Sequence, residues 1–270
     1  MSACPICGSE SRALGLATAR FPLRRCRRCG HRFAELDGYD VEGAYVEGYE
    51  GFRDDATFDA RIRAFLEQHL LPRAQSGPLL DVGCGGGTVL RIAGALGFDA
   101  LGFDLSEAAV EACRAKGLRA IAGDFTRHDF ADRRFRVITF WDVLEHLPTP
   151  GPFLARAYAL LEPGGWLIAK VPLHGDWSLR TAGAVPRLAA PVLGVPVHVQ
   201  FYTQGSLDEL LGPRFVQKRW IELGPMREAA SGGRVRRRLA RRVVRSIHAV
   251  SGDGNLVVVA QRPRTSVSIR

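Results

Sequence analysis

The sequence lacks two features that would place the chain in or across a membrane. It contains no run of about 18 uninterrupted apolar residues, which a transmembrane helix requires. The opening stretch MSACPICGSE lacks the basic and apolar regions of a signal peptide. With 270 residues, of which 46% are hydrophobic and 24% charged, the chain has the composition of a globular protein that can bury a core. We therefore expect a cytoplasmic enzyme or binding protein.

Acidic residues are outnumbered by basic ones, which gives a formal net charge of +9. A charge of this sign raises the question of contact with RNA or with an anionic membrane surface. The arginines cluster around the second cysteine pair and in a late segment, so these two regions would make any such contact. The clusters are Arg24, Arg25, Arg27, Arg28 and Arg32, and Arg234, Arg236, Arg237, Arg238, Arg241, Arg242 and Arg245. A solvated helix face over a packed apolar stripe explains the late segment equally well.

Disulfide bonds are not expected, because nothing in the sequence directs the chain to an oxidising compartment. Four of the six cysteines instead form two Cys-x2-Cys pairs with the spacing of a zinc ribbon: Cys4, Cys7, Cys26 and Cys29. Four thiolates fill a tetrahedral site and leave no open position, so we expect a structural Zn²⁺. The two remaining cysteines, Cys84 and Cys113, are expected to be small buried residues.

The order of predicted elements indicates an α/β fold. After the ribbon (1–35) and a connector with a lid helix (36–75), apolar strands alternate with helices throughout 76–270. This alternation predicts a doubly wound, mostly parallel, Rossmann-like sheet of seven strands, in which the last two pair antiparallel at an edge. Two inserts are expected in this domain, an apolar cap at 173–203 and a basic segment at 226–250.

The glycine loop DVGCGGG, which begins at Asp81, lacks the third small residue of a dinucleotide-binding fingerprint, because Thr88 stands at that position. Asp81 itself precedes the first glycine, where its carboxylate would repel a pyrophosphate and attract a cation. S-adenosylmethionine (SAM) meets these requirements, since it combines an adenosine with two positive charges and carries no phosphate. Backbone amides at the start of the following helix can still bind its carboxylate.

Two further aspartates follow the next two predicted strands. Asp104 is placed to accept hydrogen bonds from the ribose hydroxyls, and Asp124 from the adenine amino group, beside Phe125. Taken singly, each is more often a turn residue or a helix cap. Three acids at successive strand ends favour a binding site.

The motifs DVGCGGG, GFDLS, GDF, FRVITFWDVLEHLP and LLEPGGWLIAKVP occur in the order found in class I SAM-dependent methyltransferases. The chain resembles the group similar to ubiquinone-biosynthesis O-methyltransferases over about 79–172 and again over 198–211, and its ribbon resembles that of a subset of this group. The resemblance implies a small-molecule acceptor such as a sugar or another biosynthetic intermediate. It also implies a set of cofactor contacts: Tyr45, Tyr49, Asp81, Gly83, Gly85, Asp104, Leu105, Asp124, Phe125 and Trp141. In this set, Tyr45 and Tyr49 would form a lid over the methionyl end of SAM.

A hydroxyl acceptor must lose its proton, and His146, after the fourth strand of the predicted sheet, is our candidate base. The alternative is that the Glu145-His146 pair fixes the loop by hydrogen bonds to the backbone. His198, beyond the apolar cap, is a second candidate. Two other functions stay open: a zinc-ribbon rRNA base N-methyltransferase, which the charge favours and the segment DVLEHLP disfavours, and an inactive SAM-binding adaptor.

Overall fold

The computed structural model describes residues 2–17, 21–36, 38–47, 56–173, 193–223 and 254–264. Within these ranges the chain forms a four-stranded sheet and a seven-stranded sheet. The smaller sheet contains β1 (Ser11–Ala17), β2 (Pro22–Cys26), β3 (Arg32–Ala34) and β9 (Gln200–Phe201). The larger sheet contains β4 (Gly77–Val82), β5 (Phe98–Asp104), β6 (Ala120–Ala122), β7 (Phe135–Trp141), β8 (Leu161–Leu173), β10 (Val216–Leu223) and β11 (Gly254–Gln261).

Six α-helices are described beside these strands. They are α1 (Val41–Glu47), α2 (Ala56–Phe65), α3 (Thr88–Ala95), α4 (Glu107–Ala115), α5 (Pro150–Leu160) and α6 (Gln204–Leu211). A π-helical turn, Leu66–Leu70, prolongs α2, and a short 3-10 turn, Leu144–His146, follows β7. The predicted cap of α4 is present, because the Ser106 hydroxyl accepts a hydrogen bond from the Ala109 amide at 3.3 Å.

The order of the large sheet is β10-β11-β8-β7-β4-β5-β6. The five strands from β8 to β6 are parallel, and β11 runs antiparallel to both of its neighbours. The predicted seven-stranded, mostly parallel sheet with an antiparallel pair at one edge is therefore confirmed. Because parallel strands end at one edge of a sheet, the carboxyl ends of β4, β5, β6 and β7 lie together there.

Helices cover both faces of this sheet, which explains why its strands read as nearly continuous apolar runs. Strand β7 illustrates the division. Ile138 and Phe140 belong to the core cluster on one face, while Val137 and Trp141 belong to the cluster on the other. Side chains alternate along a strand, so a single apolar strand supplies both layers.

The small sheet joins segments that are far apart in the sequence. Strands β1, β2 and β3 come from the cysteine-containing start of the chain, and β9 comes from the end of the predicted cap. A strand that follows β8 in the chain therefore completes the sheet that the predicted ribbon begins. This pairing was not predicted.

Several predictions fall outside the described residues, namely the position of Tyr49, the basic segment 226–250 and most of the cap insert 173–203. Among the helices that are described, none has the length and apolar character needed to cross a bilayer.

Candidate active site

The glycine loop turns sharply between β4 and α3, and its shape requires glycine. Gly83 and Gly87 have φ of +73° and +82°, in the left-handed region that other residues rarely adopt. A Cβ on Gly83 would lie 2.4 Å from a methyl carbon of Val143, and one on Gly87 would lie 2.5 Å from a methyl carbon of Leu118. The loop therefore keeps its backbone bare and close to its neighbours, as a loop that contacts a ligand through its backbone must.

Asp104, the last residue of β5, is the organising carboxylate of this edge. It is 2% exposed and accepts hydrogen bonds from the Gly85 amide at 2.8 Å and the Ser106 amide at 2.9 Å. These bonds join the glycine loop to the end of the neighbouring strand. A third donor is the hydroxyl of Tyr45 in α1, which lies 3.2 and 3.4 Å from the two carboxylate oxygens. Tyr45 thus supplies to Asp104 a hydroxyl of the kind that a ribose would supply.

Asp81 lies deeper than the glycine loop, on β4. Its side chain accepts a hydrogen bond from the Thr139 hydroxyl on β7 at 2.5 Å and is 2% exposed. Burial raises the pKa of the Asp81 carboxyl to about 7; the hydrogen bond from Thr139 lowers this pKa, and the nearby charge of Asp104 raises it further. Because its pKa lies near neutrality, the Asp81 carboxyl loses its proton readily when a cation binds beside it.

Asp124 follows β6 and is exposed, unlike the other two aspartates. The backbone amide and hydroxyl of Thr126 donate to its Oδ1 at 2.8 and 2.6 Å, which lowers the pKa of the carboxyl and fixes its orientation. Phe125 is 3% exposed and packs among aromatic rings of the core, so its backbone amide is the group it can offer to a ligand. Leu105 is 38% exposed and leaves an apolar surface beside Asp104.

Trp141 ends β7 and closes the edge on the other side of the glycine loop. Its ring packs edge-on against Phe65 with 5.3 Å between ring centroids and is 8% exposed. In the described part of the chain its Nε1 finds no hydrogen-bond partner, although the atom is buried. An unsatisfied buried donor at the mouth of a site is suited to an acceptor on a bound molecule.

The turn after β7 brings together both predicted catalytic histidines. The rings of His146 and His198 lie 4.9 Å apart between centroids. Nδ1 of His146 is 2.8 Å from the carbonyl oxygen of Val197. Because a carbonyl can only accept, Nδ1 carries the proton and Nε2 keeps its lone pair. Burial lowers the pKa of His146, so the ring is neutral at neutral pH.

Three charged groups near this turn were not singled out from the sequence as site residues. Lys170 on β8 is 4% exposed and pairs with Asp142, which follows Trp141. Glu145 is 1% exposed, and burial raises its pKa well above the ordinary value. Asp142 adopts a φ of +57°, a backbone conformation that non-glycine residues seldom take outside turns and functional sites. The signal was a lysine inside the apolar run WLIAKVP, since an unpaired lysine is almost never buried.

The four predicted zinc ligands also converge. Their Sγ atoms lie within 4.8 Å of one another, with separations of 3.7 Å for Cys4 and Cys29, 3.4 Å for Cys7 and Cys26, and 3.6 Å for Cys7 and Cys29. A tetrahedral zinc with bonds of ~2.3 Å to sulfur needs separations of about 3.8 Å. The remaining cysteines, Cys84 and Cys113, are buried and unbridged, as expected.

Comparison with known proteins identifies the class. Residues 49–224 match the family described as "Methyltransferase domain", and the chain belongs to that family. With its seven-stranded sheet, glycine loop and strand-end acids, it is a class I SAM-dependent methyltransferase. The predicted family resemblance and fold class are confirmed.

The curated relatives that match include ubiquinone biosynthesis O-methyltransferases. The one from Methylococcus capsulatus is 40% identical over 93 residues, which cover 32% of this chain and 39% of the relative. The one from Bordetella avium is 32% identical over 108 residues, which cover 37% of this chain and 44% of the relative. The chain thus spans about two fifths of the length of the curated relatives it matches.

Among solved structures, a SAM-dependent methyltransferase from Archaeoglobus fulgidus superposes with a TM-score of 0.55 at 18% identity, over 82% of this chain and 100% of that one. This similarity shows a shared fold. The acceptor is determined by the site and not by the fold.

SAM fits the residues at this edge. The glycine backbone lets a ligand approach closely, and Tyr45 already donates a hydroxyl hydrogen bond to Asp104. The carboxylates at this edge would repel a phosphate, which SAM does not carry. The orphaned Nε1 of Trp141 leaves one further donor for the bound molecule.

Proposed function

We propose that the chain transfers the methyl group of SAM to a hydroxyl oxygen of a small biosynthetic intermediate. The observation that carries this proposal is the arrangement of His146. Its Nδ1 donates to the Val197 carbonyl at 2.8 Å, so its Nε2 keeps the lone pair that can take the proton of an acceptor hydroxyl. Nε2 lies 3.9 Å from Oε1 of the buried Glu145, beyond hydrogen-bond distance. The O-methyltransferase activity named for the curated relatives supports the same reaction.

The cofactor residues have separate roles in this proposal. Bound SAM supplies a methyl group already activated by its sulfonium. Asp104 accepts from the ribose hydroxyls in place of Tyr45, while Leu105 and Asp124 contact the adenine. Asp81, Gly83 and Gly85 would hold the methionyl end of SAM, and Trp141 would flank its sulfonium. Tyr49 completes the lid in our proposal, together with Tyr45.

The acceptor half of the site has a neutral imidazole that can take a proton and an apolar edge. His146 removes the hydroxyl proton at Nε2, and His198, with its ring 4.9 Å away, orients the acceptor or the imidazole. Val197, whose carbonyl holds His146, leaves its side chain 57% exposed. An acceptor that pairs a hydroxyl with an apolar portion matches this surface, as a lipid-linked or natural-product intermediate would.

The proposal is tested by transfer of a labelled methyl group. The full chain is incubated with SAM carrying a deuterated methyl and with a panel of hydroxyl probes, namely catechol, 4-hydroxybenzoate and methyl glucoside. The expected result is an O-methyl product by mass spectrometry in at least one case. Methylation of an rRNA fragment with no methylation of any hydroxyl probe would contradict the proposal and support the RNA alternative.

Two of the five arginines around the second cysteine pair already have acidic partners, which weakens the case for RNA as the acceptor. Arg24 pairs with Glu35 at 3.2 Å and Arg28 with Glu209 at 2.8 Å, so both side chains already have acidic partners. The late arginine cluster lies outside the described residues. An anionic surface as a partner of that cluster remains a prediction from the sequence.

We also propose that the four cysteines hold one structural Zn²⁺. The full chain should contain about one zinc per molecule by elemental analysis, because the four sulfurs already have near-tetrahedral spacing. Cys7→Ser should lose most of this metal, whereas Cys84→Ser, which removes a buried thiol outside the cluster, should keep it. Equal zinc content in the two variants would contradict the assignment.

Binding of SAM should strengthen as pH rises, because the carboxyl of Asp81 has a pKa of about 7 and its ionised form attracts the cation. Below pH 7 the group is mostly protonated, and binding must release that proton. We expect about a tenfold gain in affinity between pH 6 and pH 8, measured by calorimetry. Asp81→Asn should flatten this dependence, and an equally steep dependence in that variant would assign it to another group.

A further inference from the structure

Strand β9 lies between the ribbon and the loop that carries His146, and it is bonded to both. On the ribbon side, Phe33 pairs with Gln200 in the β3–β9 ladder, and the Ala34 amide donates to the Val199 carbonyl at 2.9 Å. Phe201 packs in the same small core as Phe21 and Leu23 of the ribbon. The ribbon therefore shares its last strand with the catalytic domain.

The other side of the same segment holds the loop 144–148 at four points. The Val199 amide donates to the Glu145 carbonyl at 2.8 Å, and the Tyr202 hydroxyl donates to the Leu144 carbonyl at 3.2 Å. The side-chain amide of Gln200 lies 2.9 and 3.1 Å from the carbonyl oxygens of Leu147 and Pro148. The fourth point is the Val197 carbonyl, which orients His146.

Gln200 joins the two halves through one side chain. The carbonyls of Leu147 and Pro148 can only accept, so the amide nitrogen of Gln200 faces them and its Oε1 faces His31. Nε2 of His31 lies 2.7 Å from that oxygen and is therefore the donor. His31 is 0% exposed and Gln200 is 3% exposed, so no water can replace these bonds without opening the interface.

Buried hydrogen bonds whose donors and acceptors can be assigned in one direction fix geometry more than they add stability. The assignment holds for both ends of the Gln200 side chain, while Nδ1 of His31 has no partner among the described residues. This series of hydrogen bonds runs from His31, next to the cysteine cluster, through the side chain of Gln200, to the two residues that follow His146. A ribbon that served only as a separate binding module would need no such connection. The hydrogen bonds of this connection join the ribbon to the loop after β7, and the bonds described for Asp104 come from other residues.

We propose that His31 and Gln200 are positioning residues, through which the ribbon sets the orientation of the His146 loop for the reaction proposed above. The inference rests on that proposed function only for the role of His146. It assigns the ribbon to the acceptor half of the site and leaves SAM binding to the other elements.

The test compares Gln200→Leu, which breaks both halves of the connection, with His31→Leu, which breaks the ribbon half alone. Ser206→Ala is the matched control, because it removes an equally buried hydrogen-bonding group at the start of α6 that makes no bond to the loop. Full-length proteins are compared by hydrogen exchange of a peptide spanning Leu144–Leu147, by calorimetry with SAM, and by turnover of whichever hydroxyl probe the wild type methylates.

We expect exchange of the loop amides to be about tenfold faster in both leucine variants and unchanged in the control. Turnover should fall by about tenfold, with SAM affinity within about twofold of the wild type. His31→Gln, which keeps a donor toward Gln200, should recover part of the loss. If Gln200→Leu does not fold, Gln200→Glu carries the same test, because it keeps the acceptor toward His31 and loses the donor toward the loop.

Wild-type exchange in Gln200→Leu would overturn the proposal, as would a parallel loss of turnover and SAM affinity. An effect in Gln200→Leu with none in His31→Leu would overturn the part assigned to the ribbon. Exchange needs no acceptor, so a wild type that methylates no probe would refute the proposed function while the exchange data still decide this one.

Discussion

Asp104→Ala is expected to weaken SAM binding at least about 100-fold. The wild-type carboxylate would accept two hydrogen bonds from ribose hydroxyls, and each bond to a charged group contributes about 1.5–3 kcal/mol. The substitution also frees the Gly85 amide, which Asp104 now holds at 2.8 Å, so the glycine loop loses its link to β5. Calorimetry with SAM measures the loss directly.

Asp99→Ala is the matched control for this prediction. Asp99 lies on the same strand at its opposite end, is exposed, and pairs with Arg119 and Arg133 instead of the glycine loop. Its loss should leave SAM affinity within about twofold of the wild type, because exposed ion pairs contribute little. Full SAM affinity in Asp104→Ala would remove the ribose assignment.

His146→Ala is expected to lower turnover by about 10²–10⁴-fold with SAM affinity unchanged, which is the range for loss of a general base. Within the described part of the chain, the hydrogen bond of this ring goes to the Val197 carbonyl, on the acceptor side of the site, and its Nε2 lies nearest the carboxyl of Glu145. Single-turnover measurement of the methylated hydroxyl probe separates this chemical step from cofactor binding.

Two controls separate a base from a merely structural residue. His69→Gln replaces another histidine whose pKa is lowered by burial, on the other side of the sheet, and should keep turnover. In the wild type, turnover should rise with pH through a value below the ordinary histidine pKa, since burial lowers the pKa of His146 and only its neutral form accepts a proton. Unchanged turnover in His146→Ala would assign Glu145 and His146 to holding the loop.

The sequence predicted the parts of the site that depend on local patterns. Buried parallel strands read as apolar runs, and the acids and glycines that end them follow directly in the chain, so Asp81, Gly83, Asp104 and Asp124 could be placed at one sheet edge. The four candidate zinc ligands could also be grouped, because each Cys-x2-Cys pair is a local pattern.

The parts that were missed depend on contacts between distant segments. Strand β9 has two residues, which is too short for any periodic signal, and its residue Gln200 lies 169 positions from its hydrogen-bond partner His31. Lys170 was read as part of an apolar strand, although its pairing with Asp142 makes it part of the site. The burial that raises the pKa of Asp81 also follows from packing that no motif encodes.

The central claim is that the acids ending β4, β5 and β6 bind a cationic adenosyl compound without phosphate. Titration calorimetry of the wild-type protein at pH 8, with SAM in one experiment and NAD in a second, tests this claim most directly. We expect micromolar-scale binding of SAM and no detectable heat with NAD. Heat with NAD and none with SAM would contradict it.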